Sequence, residues 1–324
     1  MIDRPLRPLF PEDFRNEVQV VNTVLSVDKD NSPELTALLG SSLAVSISKI
    51  PFNGPIAAVK VGRVNGEFVI NPTVAELEVS DIDLTVAGTK EAINMVEAGA
   101  REVSEQDMLE ALMFGHEAIK ELISFEEEII KEIGVEKMEY PKLEIDDNLK
   151  QEVDEFCRNR IDTSLRIKDK LEKYAAIDKI KEDLTNKYKE LYEDVMKPND
   201  YQELITKVLL VFNEIEYEIF RNIVVKEHTR ADGRKMDEIR PLSTAIDILP
   251  RTHGSAMFTR GQTQSLATVT LGALGEHQIL DGLSIEDEKR FMLHYNFPAY
   301  SVGETGRYGS PGRREIGHGA LGER

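Results

Sequence analysis

Residues 141–225 read as helix after helix with few breakers, and no other feature of the sequence constrains the fold as much. Pro198-Asn199-Asp200 divides the stretch. Ile161, Leu165, Leu171, Tyr174, Ile177 and Ile180 recur at roughly helical period, which predicts an apolar stripe turned toward a core. The dense charge around the stripe predicts a solvated outer face. A long coiled coil would need a sustained heptad, and the repeat does not hold through Pro198. An all-helical middle leaves the flanks, 1–140 and 226–324, to supply any sheet.

Both flanks carry strand signals. Residues 17–27 (EVQVVNTVLSV) are β-branched and apolar and read as a strand. Asn31-Ser32-Pro33 starts a helix through Leu43, with Ser32 as cap and Pro33 in the first helical position. Residues 56–64 and 67–70 are apolar runs on either side of Asn65-Gly66, a strong hairpin signal. Residues 83–87 and 92–98 read as two more strands around Gly88-Thr89. Ser104, with Asp107 three residues on, caps a long helix carrying Leu109, Leu112, Met113, Ile119, Leu122 and Ile123 at helical spacing. In the last region 245–249, 255–259, 265–271 and 291–297 read as strands, with a turn at Arg260-Gly261-Gln262-Thr263. Seven glycines and Pro311 follow Ser301, which is loop composition.

Charge narrows the functional classes. The net charge of −19 argues against a general polyanion binder, because phosphate backbones are held by clustered Lys and Arg. Residues 117–160 hold 14 acidic and 7 basic side chains, whereas the last 25 residues hold 4 Arg and 3 Glu. Nucleic-acid contact is therefore expected at the arginine-bearing ends rather than in the acidic middle. The single cysteine, Cys157, cannot form an internal disulfide and is expected to be a structural thiol on a helix. No run approaches the roughly 18 apolar residues of a membrane helix, and no apolar signal core follows Met1. A cytoplasmic protein without a membrane partner is expected. Ser46-Ile47-Ser48-Lys49 fits a Ser-x-x-Lys nucleophile pattern, but its partner motifs are missing. No Walker A sequence and no Cys/His zinc spacing occurs.

Four longer blocks carry a family resemblance: RADGRKMDEIRPL from Arg230, LPRTHGSAMFTRGQTQSLATVTLG from Leu249, HYNFPAYSVGETG from His294 and GRREIGHGALGER from Gly312. They resemble the second ribonuclease-PH-type domain of the bacterial polynucleotide phosphorylase family. IDRPLRPLFPE near the start, IPFNGPIAAVKVG from Ile50 and DLTVAGTKEAINMVEAGA from Asp83 resemble the first such domain, and the helical stretch resembles the family's linker. The resemblance runs over the whole chain in the family's order. It implies an α+β fold: two incomplete ribonuclease-PH-like (ribosomal S5 domain 2-like) halves, 1–140 and 226–324, flanking an all-helical domain, 141–225.

The activity implied is phosphate-dependent 3′-to-5′ degradation of RNA, releasing nucleoside diphosphates. The implied partners are the 3′ end of single-stranded RNA, inorganic phosphate, two further subunits of a homotrimeric ring and an RNA-degradation complex; the implied cofactor is Mg²⁺. Arginine forks suit both phosphate and RNA backbone. Arg313 and Arg314, expected in a Gly-flanked turn, are the candidate contacts, with His318 four residues beyond Arg314 as the candidate catalytic group, since imidazole exchanges a proton near neutrality. On spacing alone an exposed Arg pair is more often solubilising charge, and a His between glycines a turn residue; the resemblance shifts both. Arg4 and Arg7 are weaker candidates for RNA contact, with surface charge as the alternative. In the family's active copy two aspartates six residues apart hold the metal. Asp81 stands at the second position here, but Ala75 stands six residues before it, so Asp81 and Asp83 are expected to be strand-end carboxylates and no metal ligand is expected in this chain. The family's metal aspartates and serine-rich phosphate loop are expected beyond Arg324, so the chain alone is expected to be inactive. Two alternatives are a non-catalytic folded fragment and an exosome-type ring subunit with weak RNA binding; the latter carries one copy of the domain, which the helical insert between two copies opposes. The helical domain is expected to be the most autonomous part, with both flanks loosely packed.

Overall fold

The computed structural model describes residues 1–28, 30–142, 144–282 and 288–323. Two compact units are present, Met1–Lys142 with Ala273–Arg324, and Leu143–Gly272.

In the first unit an antiparallel sheet is built from β1 (Ala57–Val64), β2 (Glu67–Ile70), β3 (Ile82–Gly88) and β4 (Ile93–Ala100) in the order β2-β1-β3-β4. Asn65 and Gly66 turn the β1–β2 hairpin with φ of 52° and 84°, the left-handed pair that matches strand twist. Four helices accompany the sheet: α1 (Asp3–Leu6), α2 (Pro33–Ile47), α3 (Val74–Val79) and α4 (Glu105–Ile133). The Ser104 hydroxyl accepts from the Asp107 amide at 3.1 Å and caps α4 as its sequence implies. Ala57, Val59 and Val61 of β1 bury against Ala111, Ile119 and Ile123 of α4, while Ile56 and Ala58 bury with Leu6 and Leu38 of α1 and α2. Both faces of the sheet are therefore covered, and this explains the continuous apolar run of β1. Gly115 of α4 permits the close approach, since a Cβ there would lie 2.6 Å from Val86 Cγ1.

The second unit holds α5 (Asp147–Leu165), α6 (Lys170–Tyr192) and α7 (Pro198–Glu227). Asp146 and Asp169 cap the first two with their side chains, and Pro198 opens the third. Their core unites Val153, Cys157, Ile161, Ile177, Leu184 and Phe212 among others. Burial pushes the Cys157 thiol up to about 11, so it stays protonated and unreactive at neutral pH, as a structural thiol should. Leu171 and Tyr174 depart from the expected stripe: they are 75% and 55% exposed, because the stripe belongs to two helices and the first turns of α6 lie outside the core. A separate sheet follows, β5 (Leu242–Ile246), β6 (Gly254–Arg260) and β7 (Thr263–Val269), antiparallel in that order. Asp247 ends β5 by taking a left-handed conformation, φ 56°, and its amide donates to Ser255 O at 2.9 Å. This moves β5 earlier than its apolar pattern suggests.

Residues 273–324 contribute a small ladder, β8 (Gln278–Ile279) with β9 (Glu288–Lys289), and α8 (Arg313–Glu323). Three expectations fail. Residues 17–27 form no strand and stand exposed, Leu25 at 92%. A strand is a partnership, and this run has no paired edge among the described residues. Residues 291–297 also form no strand: the Leu293 and Phe297 amides donate to the Glu323 and Glu315 carboxylates at 3.2 and 2.5 Å, so the segment lies along α8. The glycine-rich tail is not all loop, because α8 uses the missing side chain of Gly319 to seat the Tyr295 backbone and Cβ.

The packing also corrects the expectation of two loose flanks, since 1–142 buries a core on both faces of its sheet. Exposed along their whole length are β5, β7 and the two-residue β8. Amide exchange is expected to be slow in β1, β3, α4 and α5–α7 and fast across 242–269. Equal protection across 242–269, measured by mass spectrometry, would show that β5–β7 are covered in solution.

Candidate phosphate and RNA contacts

The best-defined candidate lies on α8. Glu315 accepts from the Gly312 amide at 2.6 Å and from the Phe297 amide at 2.5 Å, and these two donors hold its carboxyl below the usual range. The helix start is thereby tied to the 291–297 segment. Arg313 and Arg314, the first two residues of the helix, are exposed and make no hydrogen bond or ion pair among the described residues. The expected Gly-flanked turn is the first turn of a helix, directly after Gly312. Cations at this end oppose the helix dipole, at a cost of roughly 0.3–1 kcal/mol each near the surface. Glu315 already meets the Gly312 amide at this end, and an anion held by the Arg313 and Arg314 guanidinium groups would offset the rest of the conflict. His318 is four residues from Arg314 and so shares its face of the helix. Its ring lies on Tyr295, centroids 4.4 Å apart and planes at 33°. Arg314 and His318 thus lie on one face of α8, with Arg313 at the turn before them.

The α1 pair is differently placed. Arg4 is ion-paired with Glu97 of β4, and Arg7 with Asp3 of its own helix. Both guanidinium groups are engaged by carboxylates, and no contact links them to the α8 residues among the described residues. Ser46 is buried in α2, which removes it as a nucleophile.

The carboxylates at the sheet end do not fit a divalent cation. The Arg63 fork spans Asp81, Nε–Oδ1 2.9 Å and Nη2–Oδ2 2.5 Å, and its Nη1 lies 3.1 Å from Asp107. Arg63 holds both carboxyls below their usual range. Asp83 pairs with Lys60 at 3.1 Å, and Ala75 lies on α3. These carboxylates face cations of the protein, and no two of them are turned to a common open point that a Mg²⁺ could share. Among the described residues no group of three or more His, Cys, Asp or Glu side chains could hold a metal. No helix among them is long and apolar enough to cross a membrane.

Reading the sequence missed Glu315 and Tyr295. The spacing Gly312-x-x-Glu315 was available as a helix-start signal, since a carboxylate three residues into a helix reaches back to the cap amide. Tyr295 carried no signal, because it meets His318 only once 291–297 lies along α8.

Three family models match the chain. Residues 54–118 match the 3′ exoribonuclease family, domain 2; residues 148–235 match the RNA binding domain of polyribonucleotide nucleotidyltransferase; residues 238–324 match the 3′ exoribonuclease family, domain 1. Ribonuclease-PH-like segments thus flank a helical domain in an α+β chain. The whole chain is similar to proteins named polyribonucleotide nucleotidyltransferase: 55% identical to that of Enterococcus faecalis, 57% to that of Geobacillus kaustophilus and 54% to that of Acholeplasma laidlawii. It spans 46%, 44% and 46% of their lengths, about half of the curated relatives it matches.

Proposed function

Because this chain belongs to the polyribonucleotide nucleotidyltransferase family, we propose that it is part of an enzyme degrading RNA from the 3′ end with inorganic phosphate. The observation that carries the reading is the α8 turn: two exposed arginines without a partner among the described residues, Arg314 sharing its helix face with His318, inside the segment similar to 3′ exoribonuclease domain 1. In the reaction a phosphate oxygen attacks the terminal phosphodiester phosphorus and the bond to the penultimate 3′ oxygen breaks. A nucleoside diphosphate leaves, and the RNA is one residue shorter. Arg313 and Arg314 hold phosphate or the RNA backbone and neutralise charge on the phosphoryl oxygens. His318 delivers a proton to the departing 3′ oxygen. Arg4 and Arg7 are secondary RNA contacts on this reading, after exchange of their carboxylate partners.

The family resemblance also supports Mg²⁺ as cofactor of the complete enzyme, a homotrimeric ring, a place in an RNA-degradation complex and a cytoplasmic location. In this chain the Asp81 and Asp83 carboxylates are paired with Arg63 and Lys60. The same resemblance supports reading 1–140 and 226–324 as the later and earlier parts of two ribonuclease-PH-like domains joined by 141–225. For the isolated chain the exposed β5 and β7 favour the alternative of a non-catalytic piece with weak RNA affinity.

The test is an exchange. The 324 residues replace the matching segment of the Geobacillus kaustophilus relative, and ADP release from oligo(A) is followed with and without inorganic phosphate. Phosphate-dependent release by the chimera, and none by the isolated chain, is expected. A folded chimera that releases no ADP beside an active parent would refute the reading.

A further inference from the structure

Between Phe297 and Gly312 the chain makes a closed surface loop. Both ends are tied to one side chain: the Phe297 amide donates to Glu315 Oε1 at 2.5 Å and the Gly312 amide to Oε2 at 2.6 Å. A loop whose ends meet and whose interior bonds to itself keeps its shape on the surface. Here the Ser301 amide donates to Pro298 O at 2.9 Å and the Glu304 amide to Ala299 O at 3.1 Å, while Gly303 turns the chain back with φ of 78°. Gly306 closes on Ala299 so tightly that a Cβ there would lie 2.9 Å from the Ala299 Cβ. This loop carries two tyrosines. Tyr300 and Tyr308 stack with ring centroids 6.5 Å apart and planes at 27°. They are nevertheless 71% and 77% exposed, so the stacking hides little of either residue. The rings therefore add little to the stability of the loop, since an aromatic side chain contributes mainly through burial. Charge supplies a second observation. From 297 to 314 the chain holds three arginines, Arg307, Arg313 and Arg314, against one acid, Glu304. All three are exposed and have no carboxylate partner among the described residues. Tyr308 stands five residues before Arg313, so the chain allows no more than about 18 Å between them. Unpaired cations beside accessible aromatic rings are the combination that holds single-stranded nucleic acid, phosphates on the cations and bases on the rings.

We propose that the 298–311 loop is a base-stacking platform, on which Tyr300 and Tyr308 carry bases of the RNA and Arg307 a backbone phosphate, beside the Arg313–Arg314 turn. The inference rests on the RNA reading above and deepens it, because the arginine turn can hold only phosphate whereas the platform holds the bases. Stacking is tolerant of sequence, since every base has a π-face, so the platform grips any strand and favours purines only modestly. An acidic peptide would meet the arginines equally well but gains nothing from the rings, which is why RNA is the partner chosen.

Fluorescence anisotropy of a labelled oligo(A) with the 324-residue chain at low salt tests this. Tyr300→Ala and Tyr308→Ala are each expected to weaken binding at least about fivefold, as loss of one stacked base does, whereas Tyr300→Phe and Tyr308→Phe keep the π-face and should bind like the parent. Arg307→Ala is expected to lower the slope of log affinity against log salt by roughly 0.7, the value for one phosphate of a single strand. A strand of the same length without bases should bind the parent more weakly than oligo(A), and should bind both alanine variants as it binds the parent. In the chimera the same alanine variants should raise KM for oligo(A) while leaving kcat and the KM for phosphate in place, the pattern of a contact made equally in ground and transition states. A merely structural loop would instead lower kcat, by releasing Glu315 and the arginine turn. Unchanged affinity in both folded alanine variants would overturn the platform, and so would equal binding of the base-free strand and oligo(A), or no binding of oligo(A) by the folded parent chain. None of these results touches the phosphorolytic reading, which is scored by phosphate-dependent ADP release from the unsubstituted chimera.

Discussion

Replacing Arg313 and Arg314 together by alanine in the chimera is expected to cut phosphate-dependent ADP release at least roughly 100-fold, the usual scale for losing a group that neutralises developing charge. Stability should stay within about 0.5 kcal/mol, because surface substitutions away from packed features rarely do more. The expectation follows from what the pair touches. Neither side chain is buried, and neither meets a carboxylate or a carbonyl among the described residues. The helix start is secured instead by Glu315, through the Gly312 and Phe297 amides. Removing two cations from the positive end of α8 even favours the helix slightly. A structural role would therefore produce the opposite pattern, with melting temperature falling and turnover surviving. Arg314→Lys separates charge from geometry: lysine keeps the charge but lacks the planar fork, so intermediate activity is expected where bidentate contact matters. Activity of the double alanine variant within a few-fold of the parent would remove these residues from the site.

The elements legible in the sequence were those whose cause is local. Asn65-Gly66 dictates a hairpin whatever surrounds it, Ser104 caps α4 through its own side chain, and Pro198 opens α7. The strands at 17–27 and 291–297 were misread because strand propensity states a willingness to pair, whereas pairing depends on an edge supplied from elsewhere. The α8 helix was hidden for the converse reason. Gly317, Gly319 and Gly322 weaken it intrinsically, yet Gly319 lets Tyr295 lie against it and Glu315 ties down its start. The candidate site divides in the same way. Arg313, Arg314 and His318 stood out by family resemblance, while their spacing alone described solubilising charge.

Stability against pH should expose a buried conflict at Glu126. This residue lies in α4, whose inner face packs on the sheet and on α2. Its side chain has no solvent exposure, and neither carboxyl oxygen meets a hydrogen-bond partner of good geometry; the Ser42 hydroxyl of α2 gives only partial relief. Burial pushes the carboxyl from its ordinary 4.5 up to about 7. Nearby charges do not rescue it. Glu127 pairs with Lys90, and Lys137 donates to the Val45, Ser46 and Ser48 carbonyls at the end of α2. Since the folded state holds this proton more tightly than the unfolded state, stability from this group is complete below about 4.5 and declines as pH rises toward 7. Above about 7 the full penalty is present, up to about 3 kcal/mol for this interval. Glu126→Leu keeps comparable volume and removes the charge, so it should stabilise the chain by about that amount at pH 8 and by much less at pH 5. Glu126→Gln should show the same pH trend with a smaller gain, because its amide still lacks partners. Urea unfolding followed by α4-sensitive hydrogen exchange at both pH values measures the difference. A wild-type chain whose variants gain equally at pH 5 and pH 8 would show that Glu126 is not the titrating group; equal stability throughout would show that its carboxylate reaches water or a cation. The expected result identifies the α2–α4 contact as the part of the first unit that loosens as pH rises, ahead of the sheet it covers.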